Sequence, residues 1–171
     1  PHAFEARLVA SVGTTLNTTR EVKNVDDSAF DYEAALHTYL TVSNVEKVKI
    51  TGLEGTEFID KVDAGTKKHQ GREPLQLSGE TDRVYLNTTA PCVVHDAAGK
   101  RRITVAKTGS NTTVVWNPWE SGAAKIPDLE ASEWHEFLCV ETVNAAANAI
   151  TLAPGASHTM QAHVSVDNIK A

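Results

Sequence analysis

The sequence has few of the residues that mark several protein classes. It contains only two cysteines and one methionine, and its six prolines and ten glycines are spread over 171 residues. This composition excludes collagen-like and disordered chains. No apolar run reaches the roughly 20 residues that a membrane-spanning helix needs, and no basic start precedes an apolar core. We therefore expect a cytoplasmic protein without a membrane partner.

Motifs for common cofactors are also missing. The chain has no Gly-x-Gly-x-x-Gly, no P-loop and no Gly-x-Ser-x-Gly. The pairs His135/Cys139 and His158/His163 suit no zinc motif by their spacing. The net charge of −6 argues against nucleic acid, because binding of phosphates needs a basic face. We expect no cofactor, no metal and no nucleic-acid partner.

The two cysteines lie in apolar surroundings. Cys92 is found in Pro-Cys-Val-Val and Cys139 in Phe-Leu-Cys-Val. Catalytic thiolates need a partly exposed, electropositive setting, which neither run offers. The sequence predicts two buried thiols.

The pattern of apolar residues has a period of two and predicts strands. Short segments with this pattern recur about every 8–12 residues and are separated by turn residues. The only helix candidate is residues 28–35, where Phe30 and Tyr32 suit a strand equally well, and residues 65–72 are expected to be a polar loop. An all-β sandwich or barrel follows. The predicted strands are 8–12, 14–25, 34–42, 47–50, 57–60, 75–77, 83–86, 92–95, 101–106, 112–116, 135–141, 149–152 and 158–166.

Three segments place polar or bulky side chains where chemistry is possible. His37 lies within a strand pattern and is either a core histidine or an active-site residue. Glu141 ends an apolar strand and is either a solvent-facing terminus or a carboxylate with a raised pKa that acts as a base. Trp116 and Trp119 flank an Asn-Pro pair and form either a core corner or the wall of a sugar site.

Taken in order, several motifs resemble the aldose 1-epimerase (mutarotase) superfamily and, within it, the glucose-6-phosphate 1-epimerases. The resemblance extends from about Phe4 to about Val166. The motifs are Ala35-Leu36-His37-Thr38-Tyr39-Leu40, Val48-x-Ile50-x-Gly52-Leu53-x-Gly55, Glu80-Thr81-Asp82-Arg83-Val84-Tyr85, Trp116-Asn117-Pro118-Trp119, Cys139-Val140-Glu141 and Leu152-Ala153-Pro154-Gly155.

The resemblance implies a fold and an activity. The fold would be a single all-β domain over residues 1–171, an antiparallel mutarotase-like β-sandwich that corresponds to the C-terminal part of the family and is incomplete on its N-terminal side. The activity would be interconversion of the α and β anomers of a hexose 6-phosphate, with no cofactor. Two alternatives stay open: a 1-epimerase of unphosphorylated aldoses, and a carbohydrate-binding protein without catalysis.

The resemblance also assigns roles to residues. His37 and Glu141 would be the catalytic acid and base, Asp82 would bind sugar hydroxyls, and Trp116 would shape the substrate site. The basic residues that hold the phosphate in the family belong to its N-terminal part. The nearest local options are Arg83, Lys100, Arg101 and Arg102, and a solvated hairpin explains the last three better.

Two expectations about geometry follow from these roles. The functional atoms of His37 and Glu141 should lie within about 5–8 Å of each other on one concave surface, with Asp82 on its rim. At least one of Trp116 and Trp119 should be well buried beside them.

Overall fold

Two large antiparallel sheets face each other in the computed structural model of the chain, which describes residues 1–130 and 132–169. Within this part there are fifteen strands. They are β1 (Phe4–Val12), β2 (Thr15–Asn24), β3 (Phe30–Tyr32), β4 (Ala34–Leu36), β5 (Tyr39–Thr41), β6 (Lys49–Thr51), β7 (Glu57–Asp60), β8 (Thr66–His69), β9 (Thr81–Tyr85), β10 (Cys92–Asp96), β11 (Arg101–Thr108), β12 (Thr112–Asn117), β13 (Phe137–Asn144), β14 (Ile150–Leu152) and β15 (Ser157–Asn168).

The strand order brings distant parts of the chain together. One sheet has six strands in the order β1-β2-β15-β11-β10-β6. The other has seven: β4-β13-β12-β9-β7-β8, with β5 also paired to β13, and a small third sheet joins β14 to β3. The predicted all-β antiparallel sandwich is confirmed.

The apolar core lies between the two large sheets. Alternate residues of each strand point to opposite faces, so each sheet contributes one apolar face to this interior. The six-stranded sheet contributes side chains such as Val94 and Ile103, and the seven-stranded sheet contributes Tyr85, Val115 and Leu138. The second face of the seven-stranded sheet, called the free face below, points away from the six-stranded sheet.

The first two strands form a long hairpin at one edge of the six-stranded sheet. β2 pairs with β15 on one side and with β1 on the other. Every residue of β1 is exposed. The hairpin therefore projects beyond the packed part of the sandwich.

The helical segments of the described chain are short. The helix α1 (Trp119–Ala123) and two 3-10 turns (Glu133–Glu136 and Ala146–Asn148) are too short to show a periodic pattern in the sequence. None of the helices in the described ranges has the length and apolar character needed to cross a membrane.

Two predictions of local structure were wrong, and one open alternative is decided. Residues 28–35, which suited a helix or a strand, supply β3 and most of β4. The expected loop at 65–72 contains β8, whose polar side chains Lys67 and Lys68 are paired with Glu57 and Asp60 of β7. The expected strand at 75–77 forms only an isolated bridge between Leu75 and Ile50.

Candidate functional site

Strand register places several side chains named by the motifs on the free face of the seven-stranded sheet. Trp116 of β12 lies opposite Cys139 of β13 and, on its other side, opposite Asp82 of β9. Directly opposed residues share a face, and so do residues two apart along one strand. Glu141, two positions after Cys139, therefore joins Asp82 and Trp116 on the face that turns away from the core.

The same register brings His37 to this face, at a gap in the sheet edge. β4 pairs with β13 up to Leu36 opposite Thr142, and β5 resumes with Tyr39 opposite Cys139. His37 and Thr38 belong to neither strand. The break releases the backbone of His37 from the ladder, and its Nε2 lies 3.3 Å from Oε1 of Glu141.

Aromatic rings hold the imidazole in position. The ring of Tyr39 stacks on His37 with 5.0 Å between centroids, and the ring of Trp116 meets it edge-on at 5.6 Å. Phe137 packs behind both aromatic residues. The His37 side chain stays 45% exposed, whereas that of Glu141 is only 5% exposed. The pair thus joins a buried carboxylate to an accessible imidazole.

Burial moves the pKa values of the pair in opposite directions. Loss of hydration raises the pKa of Glu141 to about 7, and the negative charge of Asp82 adds to this rise. Burial lowers the pKa of His37 below its ordinary 6.5, although a backbone hydrogen bond and Asp82 act against this. The pKa of Asp82 is itself raised, mainly by burial. Between the lowered pKa of His37 and the raised pKa of Glu141, the pair therefore holds one proton, which the two shifts favour on Glu141.

The structure brings the predicted site residues together, but more closely than expected. His37 and Glu141 are in direct contact, so the expected separation of 5–8 Å was wrong. Asp82 shares their face at a distance of two strands from Glu141. Arg83 points the opposite way, because it alternates with Asp82 and its guanidinium covers the ring of Phe58 at 4.8 Å. The catalytic and binding roles stay predictions.

The expectation for the tryptophans was also wrong. Trp116 and Trp119 are both only partly buried, and the well-buried indole is that of Trp134, which is 5% exposed. Trp119 packs against Trp134 with 4.5 Å between ring centroids. The indole that fills the core thus comes from a 3-10 turn whose sequence shows no strand or helix pattern.

Asn117 is a further residue that sequence reasoning passed over. Its side-chain Nδ2 donates hydrogen bonds to the carbonyl oxygens of Trp134 and Phe137, at 2.9 and 3.0 Å. Its Oδ1 accepts a hydrogen bond from the backbone N–H of Trp119, which has a φ of 57°. Asn117 is fully buried and therefore ties the turn after β12 to the start of β13, the strand that carries Glu141.

The two thiols lie outside the chemistry of the site. Cys92 and Cys139 are free and buried, as predicted. Burial raises the pKa of Cys92 to about 11 and raises that of Cys139 as well, so both are protonated at neutral pH. Within residues 1–130 and 132–169, no three His, Cys, Asp or Glu side chains are arranged to hold a metal ion.

Comparison with known proteins agrees with this arrangement. The family model described as aldose 1-epimerase matches residues 1–165 of the chain. The chain belongs to the aldose 1-epimerase family. A protein of Cenchrus ciliaris, provisionally named glucose-6-phosphate 1-epimerase, is 34% identical to this chain over 159 residues. A protein of Salmonella typhimurium with the same provisional name is 36% identical over 148 residues.

Solved structures of the aldose 1-epimerase family share the fold. A crystal structure from Salmonella typhimurium, provisionally described as a mutarotase, superposes with a TM-score of 0.88 at 30% identity and covers 98% of this chain. The chain matches only 55% of that structure, and 48% of each of the two curated relatives. It therefore spans about half the length of the family members to which it is similar.

Proposed function

We propose that the chain interconverts the α and β anomers of a hexose 6-phosphate by acid–base opening and closure of the sugar ring. The observation that carries this proposal is the contact of 3.3 Å between His37 Nε2 and Glu141 Oε1 on the free face of the sheet. The sugar phosphate comes from the names of the similar proteins from Cenchrus ciliaris and Salmonella typhimurium.

The close contact suits the anomeric centre of a sugar. The anomeric hydroxyl oxygen and the ring oxygen are bonded to the same carbon, so they lie closer together than the 3.3 Å between the two side-chain atoms. Both oxygens can therefore approach the pair side by side, each within hydrogen-bond reach of one group. The expectation of 5–8 Å was based on the span of a whole ring, whereas only one carbon and its two oxygens react.

The chemistry needs one proton to enter and one to leave. The reactive form of the pair carries its one proton on His37. In this form, ionised Glu141 takes the proton of the anomeric hydroxyl while protonated His37 gives a proton to the ring oxygen, and the bond between C1 and the ring oxygen breaks. The open-chain aldehyde rotates about the bond between C1 and C2. Ring closure on the other face of the carbonyl returns both protons, so the pair ends the cycle in its initial state.

Asp82 completes the proposed substrate site. It lies on the same face as Glu141, and its carboxylate offers two acceptors to sugar hydroxyls. Trp116 lies between the strands of the two carboxylates and presents a half-buried indole as an apolar wall. This combination of carboxylate and aromatic ring fits the alternating polar and apolar surface of a hexose.

Exchange NMR of the two anomer signals tests the proposal, with the rate in buffer as the background. We expect the chain to accelerate exchange of glucose 6-phosphate, and Glu141→Gln to reduce the acceleration by about 10²–10⁴-fold. Glu136→Gln is the matched control, because Glu136 is exposed just before the same strand. Equal acceleration of free glucose would favour an epimerase of unphosphorylated aldoses. Sugar binding without acceleration would favour a carbohydrate-binding protein.

A further inference from the structure

The backbone of Trp119 is held in a strained conformation. Its φ of 57° lies in the left-handed region, which bulky residues rarely adopt. A hydrogen bond of 2.9 Å from its backbone N–H to Oδ1 of the fully buried Asn117 holds it there. Strain of this kind persists where the surrounding structure enforces it, and it is common at ligand sites. A binding role for the Trp119 indole would account for the strain.

The indole of Trp119 lines a cavity of about 600 Å³, to which α1 and the 3-10 turn Glu133–Glu136 both contribute. The buried Trp134 packs against Trp119 with 4.5 Å between ring centroids, and His135 stacks on Trp134 at 3.5 Å. Trp119 is the half-buried member of the two indoles. One wall of the cavity is therefore aromatic, and it is built by residues that the proposed reaction does not use.

The same cavity is lined by three carboxylates, those of Glu46, Glu120 and Glu130. All three residues are exposed, and within residues 1–130 and 132–169 none of them is paired with Lys or Arg. The imidazole of His135 approaches one of them, with 3.8 Å between its Nε2 and Oε2 of Glu46. Exposed carboxylates bind little by themselves, so the aromatic wall is what makes this cavity a candidate site.

The chemistry of the lining selects the class of ligand. Ionised carboxylates only accept hydrogen bonds, and their negative charge repels an anion. A sugar would leave that charge uncompensated. An ammonium group supplies charge and donors but is compact and strongly hydrated, whereas a guanidinium is planar, stacks on aromatic faces and carries five donors and no acceptor. The combination of an indole with carboxylates therefore favours a guanidinium.

We propose that this cavity binds a guanidinium group, with its plane against the indole of Trp119 and its N–H groups directed to the carboxylates. The attraction between a cation and an indole face adds to the charge-assisted hydrogen bonds. The group belongs either to a free guanidinium compound or to an arginine side chain of a partner protein. The inference is independent of the proposed function, because His37, Glu141 and Asp82 lie outside the lining of this cavity.

Titration calorimetry with a matched pair of probes tests the proposal. Agmatine and N-carbamoylputrescine share one ammonium group and differ only in that a urea replaces the guanidinium. We expect agmatine to bind about 10–100-fold more tightly, because the urea has neither the charge nor its strengthened hydrogen bonds. A second pair, a blocked tripeptide with a central arginine and the same peptide with citrulline, distinguishes the two sources. Tighter binding of agmatine supports a free compound, and tighter binding of the arginine peptide supports a partner protein.

Variants identify the cavity as the place of binding. Trp119→Leu should weaken binding of the tighter guanidinium probe by about 5–10-fold, and Trp119→Phe should keep part of the affinity because it keeps an aromatic face. Glu120→Gln should also weaken it, at an exposed position where the fold does not depend on the side chain. The matched control is Glu136→Gln, because Glu136 is exposed on the 3-10 turn but does not line the cavity.

Four results would overturn the inference. The first is equal affinity for the guanidinium and urea probes, and the second is no binding of either guanidinium probe. The third is unchanged affinity in both Trp119→Leu and Glu120→Gln, which covers the case that loss of packing against Trp134 disturbs the first variant. The fourth is binding of methyl β-glucoside at this cavity with no binding of agmatine, which would make it a sugar site.

Discussion

Glu141 and Lys107 are two ionisable groups of the same sandwich, the first buried and the second half-buried, and loss of hydration moves both pKa values toward neutrality. Burial raises the pKa of Glu141 to about 7 and lowers that of Lys107 to about 8. Glu141 contacts His37 on the free face of its sheet. Lys107 points between the sheets, where its Nζ donates a hydrogen bond of 2.7 Å to Oγ1 of Thr113. It makes no ion pair in residues 1–130 and 132–169.

The contrast shows that burial can shift the pKa of a group without giving that group a role in catalysis. Removal from water is the main cause in both places. Glu141 has the imidazole of His37 in contact, whereas the described contact of Lys107 is with the hydroxyl of Thr113. A shifted pKa indicates a functional site when a proton-carrying partner accompanies it, and otherwise indicates only a loss of stability.

The largest expected difference between the two regions is in catalysis. His37→Asn should lower kcat for anomer exchange by about 10²–10⁴-fold, because the group that protonates the ring oxygen is lost. Lys107→Met should leave kcat within about twofold of the parent, since a group acting on neither oxygen contributes nothing to the transition state. Exchange NMR at saturating substrate measures both. A large loss of kcat in Lys107→Met, with a normal fold, would contradict the distinction between the two groups.

Stability should respond to both groups, with opposite pH dependence. A raised Glu141 pKa means that the protein loses stability as the pH rises from 4.5 to about 7, so Glu141→Gln should gain about 3 kcal/mol above that range. A lowered Lys107 pKa means that stability is lost as the pH falls from 10.5 to about 8, so Lys107→Met should gain about 3 kcal/mol below that range.

Urea unfolding at pH 5 and pH 9 distinguishes the two gains. The gain of Lys107→Met should be larger at the lower pH, and the gain of Glu141→Gln should be larger at the higher pH. Gains that do not change with pH would mean that packing, and not burial of charge, determines the stability of the variants.

The pH profile of kcat tests whether the His37–Glu141 pair, and not Lys107, controls the reaction. The active form has one proton on the His37–Glu141 pair, so kcat should follow a bell. Its acid limb should lie below pH 6.5, where the pair takes up a second proton, and its alkaline limb near pH 7, where the last proton leaves. Each limb should fall about tenfold per pH unit. Lys107→Met should show the same profile, and displaced limbs in this variant would link the two regions.

The smallest expected effect is at the rim of the site. Asp82→Asn should raise KM by about 10-fold with little change in kcat, because charge-assisted hydrogen bonds to sugar hydroxyls are lost in ground and transition states alike. Asp63→Asn makes the same change of charge at an exposed turn and should leave KM unaltered. A fall in kcat without a change in KM would give Asp82 a role in the proton transfers.

The sequence predicted the fold class and the members of the site better than their geometry. Alternation with a period of two identified most strands, because each strand has one face in the core. The motifs around His37 and Glu141 identified both members of the contact, although they lie on different strands. The distance was wrong because the expectation was based on the span of a whole sugar ring, whereas the strand register places His37 directly opposite Glu141.

Other features of the structure cannot be predicted from the residues next to them in the sequence. Lys107 belongs to a strand whose alternate positions Ile103 and Val105 are buried, and the period of the strand places Lys107 on the same face. The turn that carries the buried Trp134 is held by a hydrogen bond from Asn117 of β12.

Because of the gap between β4 and β5, substitutions at His37 and at Glu141 have different consequences for the sheet. His37 and Thr38 form no part of the ladder, so a different side chain at either position leaves the strand pairing in place, provided that two residues still span the gap. Glu141 sits in the middle of β13 with a paired strand beside it, and every change there must preserve the register of the sheet. Variation at the gap can therefore alter the acid and its reach while the base stays where it is, which provides a route to new sugar substrates on an unchanged scaffold.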